Sequence, residues 1–353
     1  MTRVLQVGII GCGRIANQIH IPIWRRIKNV EIAAVCDKNE EMAKKTMNRL
    51  KIRRSFTELS NMLDDVDIDI IDNCTPVALH ASIAIQAMNY GCHVLVEKPM
   101  ALRSEEADKL IQVSNKRRVK LGIIHNTLFN PAVVKAKRLI HEGRIGEIIG
   151  IDVKYVKGMD DDWILNKNHW SHKLPGGIFG EILAHPIYLE RAFLGDLNVV
   201  EVHIRKLGNL QWLKSDELRV IVDGRKGIGT ITLSLNSPRN EGIIDIYGTN
   251  MNLHLNLWTG TIIKQRPTIL DSLSLGKDSL NQAFQGISNT LTNATKFLLR
   301  KFPNGHQILI PQFVEAVRHD SKTLVTAEDG REVVKVLAEI TDRIEKQVEA
   351  LHR

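Results

Sequence analysis

The chain has 353 residues, of which 43% are hydrophobic and 25% are charged, and its formal net charge is +8. These values are typical of a soluble globular protein, and the length favours two domains over a single core. No apolar run approaches the roughly 20 residues that span a bilayer, so we expect no membrane partner. The basic residues are spread along the chain in short clusters, which argues against nucleic acid as a partner.

The amino end and the cysteines favour a cytoplasmic location. Met1 to Gly8 run directly into a Gly-rich turn, so a cleavable signal peptide would have to lie inside the first strand, and we expect none. The four cysteines form no C-x-x-C pair and lie mostly in apolar, strand-like segments. We therefore expect buried, reduced thiols rather than disulfides or metal ligands.

From Arg3 to about Gly122 apolar strands alternate with amphipathic helices, which indicates a parallel α/β sheet over residues 1–123. The predicted strands are Leu5 to Ile10, Glu31 to Cys36, Ile68 to Asn73, His93 to Val96 and Lys120 to Ile124. The predicted helices are Ile15 to Ile27, Glu40 to Leu50, Ser55 to Leu63, Ala78 to Tyr90 and Ser104 to Lys116.

The pattern changes after Asn130-Pro131. It predicts a helix over 132–142, a strand over 146–156, a Trp- and His-rich stretch over 159–175, an apolar helix ending near Leu194, an insertion with a helical centre over 268–304 and a final helix over 327–351. Strands without intervening helices are predicted at Asn198 to Lys206, Glu217 to Val222, Ile228 to Asn236, Gly242 to Gly248 and Asn252 to Leu257. Residues 124–353 are therefore expected to form an α+β domain with a large open, mainly antiparallel sheet.

A Gly-x-Gly-x-x-Ala turn follows the first strand and opens the first helix, which is the context of a dinucleotide-binding loop. Gly11 allows the tight turn, Gly13 lets the backbone approach a pyrophosphate, and Ala16 permits close helix–strand packing. The N–H groups of Arg14 and Ile15 at the helix start can bind the phosphates. Residues 1–123 are thus predicted to be a Rossmann dinucleotide-binding domain.

Asp37 ends the second predicted strand about 20 residues after the glycines, where a carboxylate can bind the adenosine ribose hydroxyls. A carboxylate there repels a 2′-phosphate, so the cofactor is predicted to be NAD. Lys38 follows directly and could accommodate the extra phosphate, which leaves NADP open.

Five further residues are predicted to line the cofactor groove. Thr75 and Pro76 close the third long strand, and His80 lies in the first turn of the next helix. Glu97 and Lys98 end the following strand, just before Pro99. Charges at the carboxyl ends of parallel strands face the ligand crevice of such folds.

Together these motifs resemble the Gfo/Idh/MocA oxidoreductases, the group that includes glucose–fructose oxidoreductase and inositol dehydrogenase. The resemblance covers nearly the whole length and lies in Val7 to Gly13, Thr75-Pro76 with His80, Glu97-Lys98-Pro99, Gly143 to Ile148 and Gly176 to His185. It implies an NAD(P)-dependent enzyme in which Lys98 contacts the reacting hydroxyl and the Lys98–Pro99 peptide bond is cis. It also implies that Glu181 and His185 supply the acid and the histidine of the active site.

The chain departs from the family pattern at three positions. Glu181 stands where the family typically has Asp, and Val77 stands where Asn is frequent. Pro186 directly follows His185, and a proline within a helix removes a hydrogen bond and bends it. We expect this bend to re-aim the imidazole.

The chemistry expected of these groups is the oxidation of a secondary alcohol. Glu181 and His185 are four residues apart and would share one helix face. An ordinary histidine pKa, about 6.5, suits proton exchange at neutral pH, and Glu181 could bind a substrate hydroxyl or orient the imidazole. Lys98 can donate to the developing alkoxide or carbonyl oxygen, while the nicotinamide supplies the redox chemistry.

Residues before the Gly176-Gly177 turn are expected to bind the substrate. Tyr155, Trp163 and Trp170 could stack on the C–H faces of a sugar. They lie among the polar residues Lys154, Lys157, Asp160 to Asp162, His169 and His172. Because these histidines have no cysteine partner and no regular ligand spacing, we expect no metal.

We therefore expect an NAD(P)-dependent dehydrogenase or reductase for a sugar, nucleotide-sugar or cyclitol. The alternatives are a dehydrogenase for a non-sugar alcohol, such as a dihydrodiol, and a regulatory protein that keeps the fold without catalysis. The strand-rich second domain offers an open sheet face, and exposed apolar sheet faces usually find a partner, so we expect a homodimer or a homotetramer built through residues 198–257. The run Phe297 to Phe302 could touch a membrane surface or a partner subunit, but packing on its own domain is favoured.

Overall fold

A computed structural model describes residues 3–158, 162–299 and 304–351. The chain forms two compact units, Met1–Asn126 with Gly305–Lys335 and Thr127–Asn304 with Val336–Arg353. The sequence pattern predicted two consecutive domains, 1–123 and 124–353, and it contains no signal for the return of residues 305–335 to the first unit. Residues 159–161, part of the predicted substrate-binding stretch, lie outside the described residues. Residues 300–303, which include the end of the run Phe297 to Phe302, also lie outside them.

The first unit is built on a parallel sheet with the strand order of a Rossmann fold. Its strands are β1 (Leu5–Ile10), β2 (Val30–Cys36), β3 (Arg54–Phe56), β4 (Ile70–Asn73), β5 (His93–Val96) and β6 (Leu121–Ile123), in the order β3-β2-β1-β4-β5-β6. Val7, Ile70 and Val94 on the central strands are fully buried, as strands covered on both faces require. The predicted Rossmann fold is confirmed.

Helices and short helical turns connect these strands. After a π-helical turn at Ala16–His20 come α1 (Ile21–Trp24), α2 (Glu40–Leu50), α3 (Leu59–Asp65), α4 (His80–Asn89) and α5 (Ser104–Arg117). The single helix predicted over 15–27 is wrong in detail, because Pro22 has no N–H to donate and the α-helical hydrogen-bond pattern starts anew at Ile21.

The helix predicted over Ser55 to Leu63 is also wrong at its start. Arg54–Phe56 pair with β2 as a short parallel strand, and the Phe56 carbonyl accepts a hydrogen bond from the Asp37 N–H at 3.1 Å. The helix begins only at Leu59. A partner strand distant in sequence therefore overrides the local helical preference.

The second unit contains a mixed sheet covered by helices on one face. Its helices are α6 (Pro131–His141), α7 (Asp162–Leu165), α8 (Ile178–Ile182), α9 (Ala184–Leu194) and α10 (Ser272–Leu298). Its strands are β7 (Ile148–Gly158), β8 (Leu197–Arg205), β9 (Glu217–Gly224), β10 (Gly227–Ser237), β11 (Glu241–Gly248), β12 (Asn252–Asn256) and β13 (Thr261–Gln265). They follow the order β13-β12-β11-β7-β10-β9-β8, and in the described part of this sheet only β7 and β10 pair in parallel. The predicted, mainly antiparallel sheet is confirmed.

The two faces of this sheet differ in polarity. Helix α9 packs against β7 and β10 on one face. The other face carries half-exposed ion pairs, Lys154 with Glu241 and His254 with Asp245, each at 2.7 Å. This face is polar where we expected an apolar one, so assembly through residues 198–257 stays a prediction.

Two helices complete the chain. Helix α11 (His306–Arg318) belongs to the first unit, and α12 (Ala327–Leu351) starts there and ends in the second. Phe313 of α11 packs on the sheet at Gly122, where a Cβ would lie 2.6 Å from its ring. Within the described residues, no helix combines the length and the apolar character that crossing a membrane requires.

Candidate active site

The Gly-rich loop has the geometry of a phosphate cradle. Gly11 has a φ of +89°, and a Cβ there would lie 2.8 Å from the carbonyl oxygen of Cys74. A Cβ at Gly13 would meet no described atom within 4 Å, so the loop presents bare backbone to open space. The residues present therefore fit a dinucleotide, whose pyrophosphate needs such a close approach.

Asp37 ties this loop to the end of β2. Its Oδ2 accepts a hydrogen bond from the Cys12 N–H at 2.7 Å, and its Oδ1 accepts one from the Asn39 N–H at 2.9 Å. Two carboxylate oxygens offer about four lone-pair positions, so the group can hold the loop and still accept ribose hydroxyls. Arg14 and Lys38 are both exposed.

His80 joins the turn after β4 to the turn after β5. Its Nε2 lies 2.8 Å from the carbonyl oxygen of Thr75, and its Nδ1 lies 2.8 Å from that of Pro99. Burial lowers the pKa of His80, against the pull of these carbonyls. The Lys98–Pro99 peptide bond is cis, as the family resemblance implies. His80 thus fixes the turns that carry Pro76 and Lys98.

Glu97 is the centre of a buried hydrogen-bond network beneath Lys98. Its Oε1 lies 2.9 Å from Nε2 of His20 and 3.2 Å from Nε2 of His306, and its Oε2 accepts the Lys98 N–H at 3.0 Å. Burial opposes ionisation of Glu97, but the two histidines hold its pKa well below the usual range. The Glu97 carboxylate therefore positions the Lys98 backbone. The predicted contact of Glu97 with the cofactor stays a prediction.

His20 connects this network to β4. Its Nδ1 lies 2.9 Å from Oδ2 of Asp72, which also accepts a hydrogen bond from Nε1 of Trp24 at 2.6 Å. Burial opposes protonation of His20, yet Asp72 and Cys74 raise its pKa well above the ordinary value. His20 and His306 had no sequence signal, because lone histidines in apolar helices are usually structural.

The same groups could in principle ligate a metal ion. His20, Glu97 and His306 form one set and His20, Asp72 and Cys74 another, with ligand atoms within 4.8 Å of one another. Separations of 2.9 Å and 3.2 Å between nitrogen and carboxylate oxygen are hydrogen-bond lengths. We therefore interpret the cluster as a hydrogen-bonded ion network.

In the second unit, His185 is held by two hydroxyl groups. Its Nδ1 lies 2.6 Å from the Tyr188 hydroxyl and 3.4 Å from Oγ1 of Thr127. The Tyr188 hydroxyl also accepts the Thr127 N–H at 3.1 Å. Sequence reasoning missed both partners, although Tyr188 lies one helical turn after His185, where contact is expected.

Aromatic rings extend this cluster. Tyr155 of β7 stacks on His185 with ring centroids 6.0 Å apart and an angle of 11° between the planes. Trp258 meets Tyr155 edge to face at 5.9 Å, and the Lys157 ammonium lies 5.7 Å from the Trp258 ring centroid. The predicted substrate residue Tyr155 is therefore in contact with the predicted catalytic histidine.

Pro186 does not bend a continuous helix. The helix predicted up to Leu194 is divided at Leu183 into α8 and α9, and Pro186 is the third residue of α9. N–H groups in the first turn of a helix have no intrahelical acceptor, so proline is tolerated there. Half-buried Glu181 in α8 and His185 in α9 thus lie on either side of the break.

Trp163 and Trp170 belong to a second aromatic cluster, centred on His169. The His169 ring centroid lies 5.3 Å from Trp170, 6.1 Å from Trp163 and 6.4 Å from His172. Both tryptophans are half-buried. Their predicted contact with substrate stays a prediction.

The strand order and the Gly-rich loop define a dinucleotide-binding protein, and comparison with known proteins identifies its family. Residues 5–125 match the NAD-binding Rossmann fold of the Gfo/Idh/MocA oxidoreductase family. Residues 137–348 match the C-terminal alpha/beta domain of the same family. The chain therefore belongs to the Gfo/Idh/MocA family of NAD-dependent oxidoreductases.

Individual relatives are more distant. The levoglucosan dehydrogenase of Pseudarthrobacter phenanthrenivorans is 31% identical over 176 residues, which are 47% of this chain and 43% of that enzyme. The oxidoreductase YrbE of Bacillus subtilis is 27% identical over 350 residues, or 95% of this chain and 93% of that protein. The WlbA dehydrogenase from Bordetella pertussis, solved in complex with NADH and UDP-GlcNAcA, has a TM-score of 0.81 at 21% identity and covers 98% of this chain and 96% of its own. The likeness to WlbA shows the fold.

Proposed function

We propose that the protein transfers a hydride between NAD and a secondary alcohol or ketone of a sugar, nucleotide-sugar or cyclitol. The observation that carries the proposal is the position of His185, which Tyr188 and Thr127 hold by hydrogen bonds and Tyr155 covers by stacking. Such an imidazole is oriented for proton exchange with a ligand that also contacts the aromatic rings.

His185 handles the proton. In the tautomer that carries a proton on Nδ1, this nitrogen donates to the Tyr188 oxygen, which also accepts from the Thr127 N–H. The lone pair then lies on Nε2, the nitrogen that takes the hydroxyl proton during oxidation. During reduction the protonated ring returns it. This use of one ring nitrogen to orient the other is a general feature of catalytic histidines.

Lys98 stabilises the charge that develops on the reacting oxygen. A positioned ammonium group at a developing alkoxide lowers the barrier because it interacts more strongly with the transition state than with the neutral alcohol. The contacts of Glu97 and His80 with the Lys98–Pro99 segment fix the backbone from which this side chain projects. Glu181 is proposed to bind a substrate hydroxyl.

The first unit holds the dinucleotide. Backbone around Gly11 and Gly13 receives the pyrophosphate, Asp37 receives the adenosine ribose, and Thr75 and Pro76 line the groove. When bound, NAD supplies the hydride acceptor.

Two observations support a sugar-like substrate. Trp258, 43% exposed, offers an aromatic face beside buried Tyr155, and the Lys157 ammonium lies over the Trp258 ring. Aromatic faces stack on the apolar C–H surfaces of sugar rings, while a cation favours an acidic or phosphorylated ligand. Levoglucosan dehydrogenase, by its name, acts on a sugar derivative, and WlbA was solved with UDP-GlcNAcA.

The test is a nicotinamide-reduction assay with a panel of free sugars, nucleotide-sugars and cyclitols, run with NAD and with NADP. We expect NADH formation with at least one member, and its loss in the Trp258→Ala protein, while Tyr90→Ala, at another exposed aromatic residue, leaves it intact. Reduction only with dihydrodiols would overturn the sugar assignment. NAD binding without turnover of any alcohol would identify a regulatory protein instead.

A further inference from the structure

Helix α10 is attached to the sheet by its polar face. Gln285 bonds both the N–H and the carbonyl of Lys264 on β13, each at 3.0 Å. Asn289 donates to the Ile262 carbonyl at 3.1 Å, and buried Asn293 donates to the carbonyls of Thr259 and Gly260 at 2.9 Å and 3.0 Å. Amides spaced along one face of the helix thus cover the open edge of the sheet, which would otherwise be available for strand pairing.

The opposite face of α10 is apolar and exposed. We name as the α10 stripe the residues Leu273, Leu280, Phe284, Ile287, Leu291 and Leu298. Each of these side chains is between 62% and 84% exposed. Successive stripe residues are seven, four, three, four and seven positions apart, which is the heptad pattern of helices that pair side by side. An amphipathic surface helix usually turns its apolar face to the core and its polar face to solvent, and α10 does the reverse.

The size of this surface matches that of a protein interface. The 27 residues of α10 make a helix about 40 Å long. Six large side chains at these exposures present on the order of 800 Å² of apolar surface, which is what each partner contributes to a stable complex. Monomeric proteins rarely leave contiguous apolar patches larger than a few hundred Å² in contact with water.

The stripe is complementary to itself in an antiparallel arrangement. A twofold axis between Gln285 and Gly286 places Leu273 against Leu298, Leu280 against Leu291 and Phe284 against Ile287 of a second copy. Residues 279–295 contain no charged side chain, so pairing of identical helices brings no like charges together in this segment.

The orientation follows from Lys277, which occupies a stripe position between Leu273 and Leu280. In a parallel pair, Lys277 would face its own copy and repel it. In the antiparallel pair it faces Ala294, near the carboxyl end of the other helix, where the helix dipole favours a positive charge.

We propose that the α10 stripe binds the α10 stripe of a second copy of this chain, forming an antiparallel, twofold-symmetric helix pair. A membrane surface fits less well, because interfacial helices carry Lys and Arg on their polar face. Here that face carries the amides that bind β13. Isologous contact of this kind is the commonest way in which soluble proteins form closed dimers.

The first experiment measures mass in solution by sedimentation velocity at micromolar concentration. The Leu280→Glu/Leu291→Glu protein is expected to have half the mass of the unmodified protein. The control, Ser279→Glu/Thr292→Glu, adds the same charges to the same helix at exposed positions beside the stripe and should keep the full mass. Circular dichroism melting curves establish that both variants fold. Equal masses for the unmodified and stripe variants, or a monomeric unmodified protein, would overturn the proposal.

The second experiment tests the register by disulfide formation. The native cysteines Cys12, Cys36, Cys74 and Cys92 are buried, so single cysteines introduced on α10 are selectively oxidised. Leu280→Cys protein mixed with Leu291→Cys protein should form a cross-linked dimer, and neither should cross-link alone. Cross-linking of Leu280→Cys alone would contradict the antiparallel arrangement.

A third measurement separates a protein partner from a lipid surface. The unmodified protein is sedimented with vesicles of equal parts phosphatidylcholine and phosphatidylglycerol. We expect it to stay in the supernatant. Binding that the Leu280→Glu/Leu291→Glu change abolishes, from a protein that is monomeric in solution, would assign the stripe to a membrane surface and overturn the proposal.

Discussion

Tyr188 is the residue on which the orientation of His185 depends in the proposed mechanism. Tyr188→Phe keeps the ring and removes the oxygen that Nδ1 contacts at 2.6 Å. We expect kcat to fall by about 10- to 100-fold, with little change in KM, because proton exchange rather than binding is impaired. The imidazolium also loses an acceptor, so the acidic limb of the pH profile of kcat/KM should move toward lower pH.

Tyr90→Phe is the matched control, since Tyr90 is exposed and its hydroxyl bonds only Asp64 at the surface among the described contacts. It should leave kcat and the pH profile unchanged. An unchanged profile in Tyr188→Phe would show that this hydroxyl has no part in catalysis.

Asp37 is expected to determine the choice of cofactor. Asp37→Ala removes the predicted ribose acceptor and also the carboxylate that holds the Cys12 N–H. NAD should bind more weakly to this variant than to the unmodified protein. The affinity for NADP should fall less than that for NAD, because the 2′-phosphate no longer meets a carboxylate. Calorimetry with both dinucleotides checks the ratio, with Asp67→Ala, at an exposed position, as control. Equal affinities of the unmodified protein for NAD and NADP would contradict the assignment.

At the scale of elements, the strands and helices of the Rossmann unit were predictable because their hydrophobic periods are clear. Strand β1 and helix α2 have the predicted bounds, Leu5–Ile10 and Glu40–Leu50. The errors have two causes, pairing between segments distant in sequence and proline inside a helical segment. Strand β13 was not predicted, and it is recognisable only through β12 and the amides of α10. Helix α11 was missed because Pro311 lies inside it.

The candidate site was predictable where a motif carries it and not where packing does. Gly11, Gly13, Lys98 and His185 belong to local patterns that name their chemistry. The partners that orient them, such as His20 and Thr127, come from distant parts of the sequence, and a lone histidine or threonine carries no signal of its contacts.

The ion network under β5 is expected to contribute to the stability of the first unit. Glu97→Gln leaves protonated His20 and its neighbours without the carboxylate, and breaking a buried pair costs about 3 kcal/mol. The pKa of Glu97 is lower in the fold than in the unfolded chain, where it is about 4.3. The carboxylate therefore stabilises the fold fully above that pH, and this stabilisation is lost as the pH falls through the lowered pKa in the folded protein.

Urea denaturation at several pH values measures this effect. The stability difference between the unmodified and Glu97→Gln proteins should be largest near neutral pH and shrink below about pH 4. Glu40→Gln, which removes an exposed pair with Lys44, is the control and should change little. A difference that does not depend on pH would argue that Glu97 is not ionised in the fold.

Glu190 in α9 has the opposite effect on stability. It is fully buried beside Gly229 of β10, and its carboxyl oxygens have no hydrogen-bond partner among the described residues. Burial raises the pKa of Glu190 well above the usual range. The fold therefore favours the neutral form of the Glu190 carboxyl. The free energy of unfolding is highest below the pKa of this group in the unfolded chain, and it falls as the pH rises toward the raised pKa in the folded protein.

Glu190→Gln removes this ionisable group while keeping its shape. Its melting temperature should exceed that of the unmodified protein at pH 8, and the advantage should shrink as the pH approaches 5. Glu349→Gln, at an exposed position of α12, should show no such trend. A Glu190→Gln protein that is less stable at pH 8 would mean that the carboxylate is ionised and paired.

At the scale of the whole molecule, dinucleotide binding and catalysis are assigned to different residues, and the proposed catalytic groups are divided between the two units. The first unit carries the Gly-rich loop, Asp37 and Lys98, and the second carries His185 with its aromatic neighbours. Variants in Lys98 and His185 should therefore impair turnover without weakening NAD binding, which we assign to Gly11, Gly13 and Asp37. Separating these two effects distinguishes a catalytic role from a structural one.

Single-turnover kinetics tests the central claim most directly. The NADH signal is followed by stopped flow with the best substrate of the panel, and the NAD dissociation constant is measured in parallel. We predict that Lys98→Ala and His185→Ala each lower the rate of NADH formation by about 10²-fold or more, with NAD affinity nearly unchanged. Rates equal to that of the unmodified protein in both variants would contradict the account and place the reacting carbon at another site.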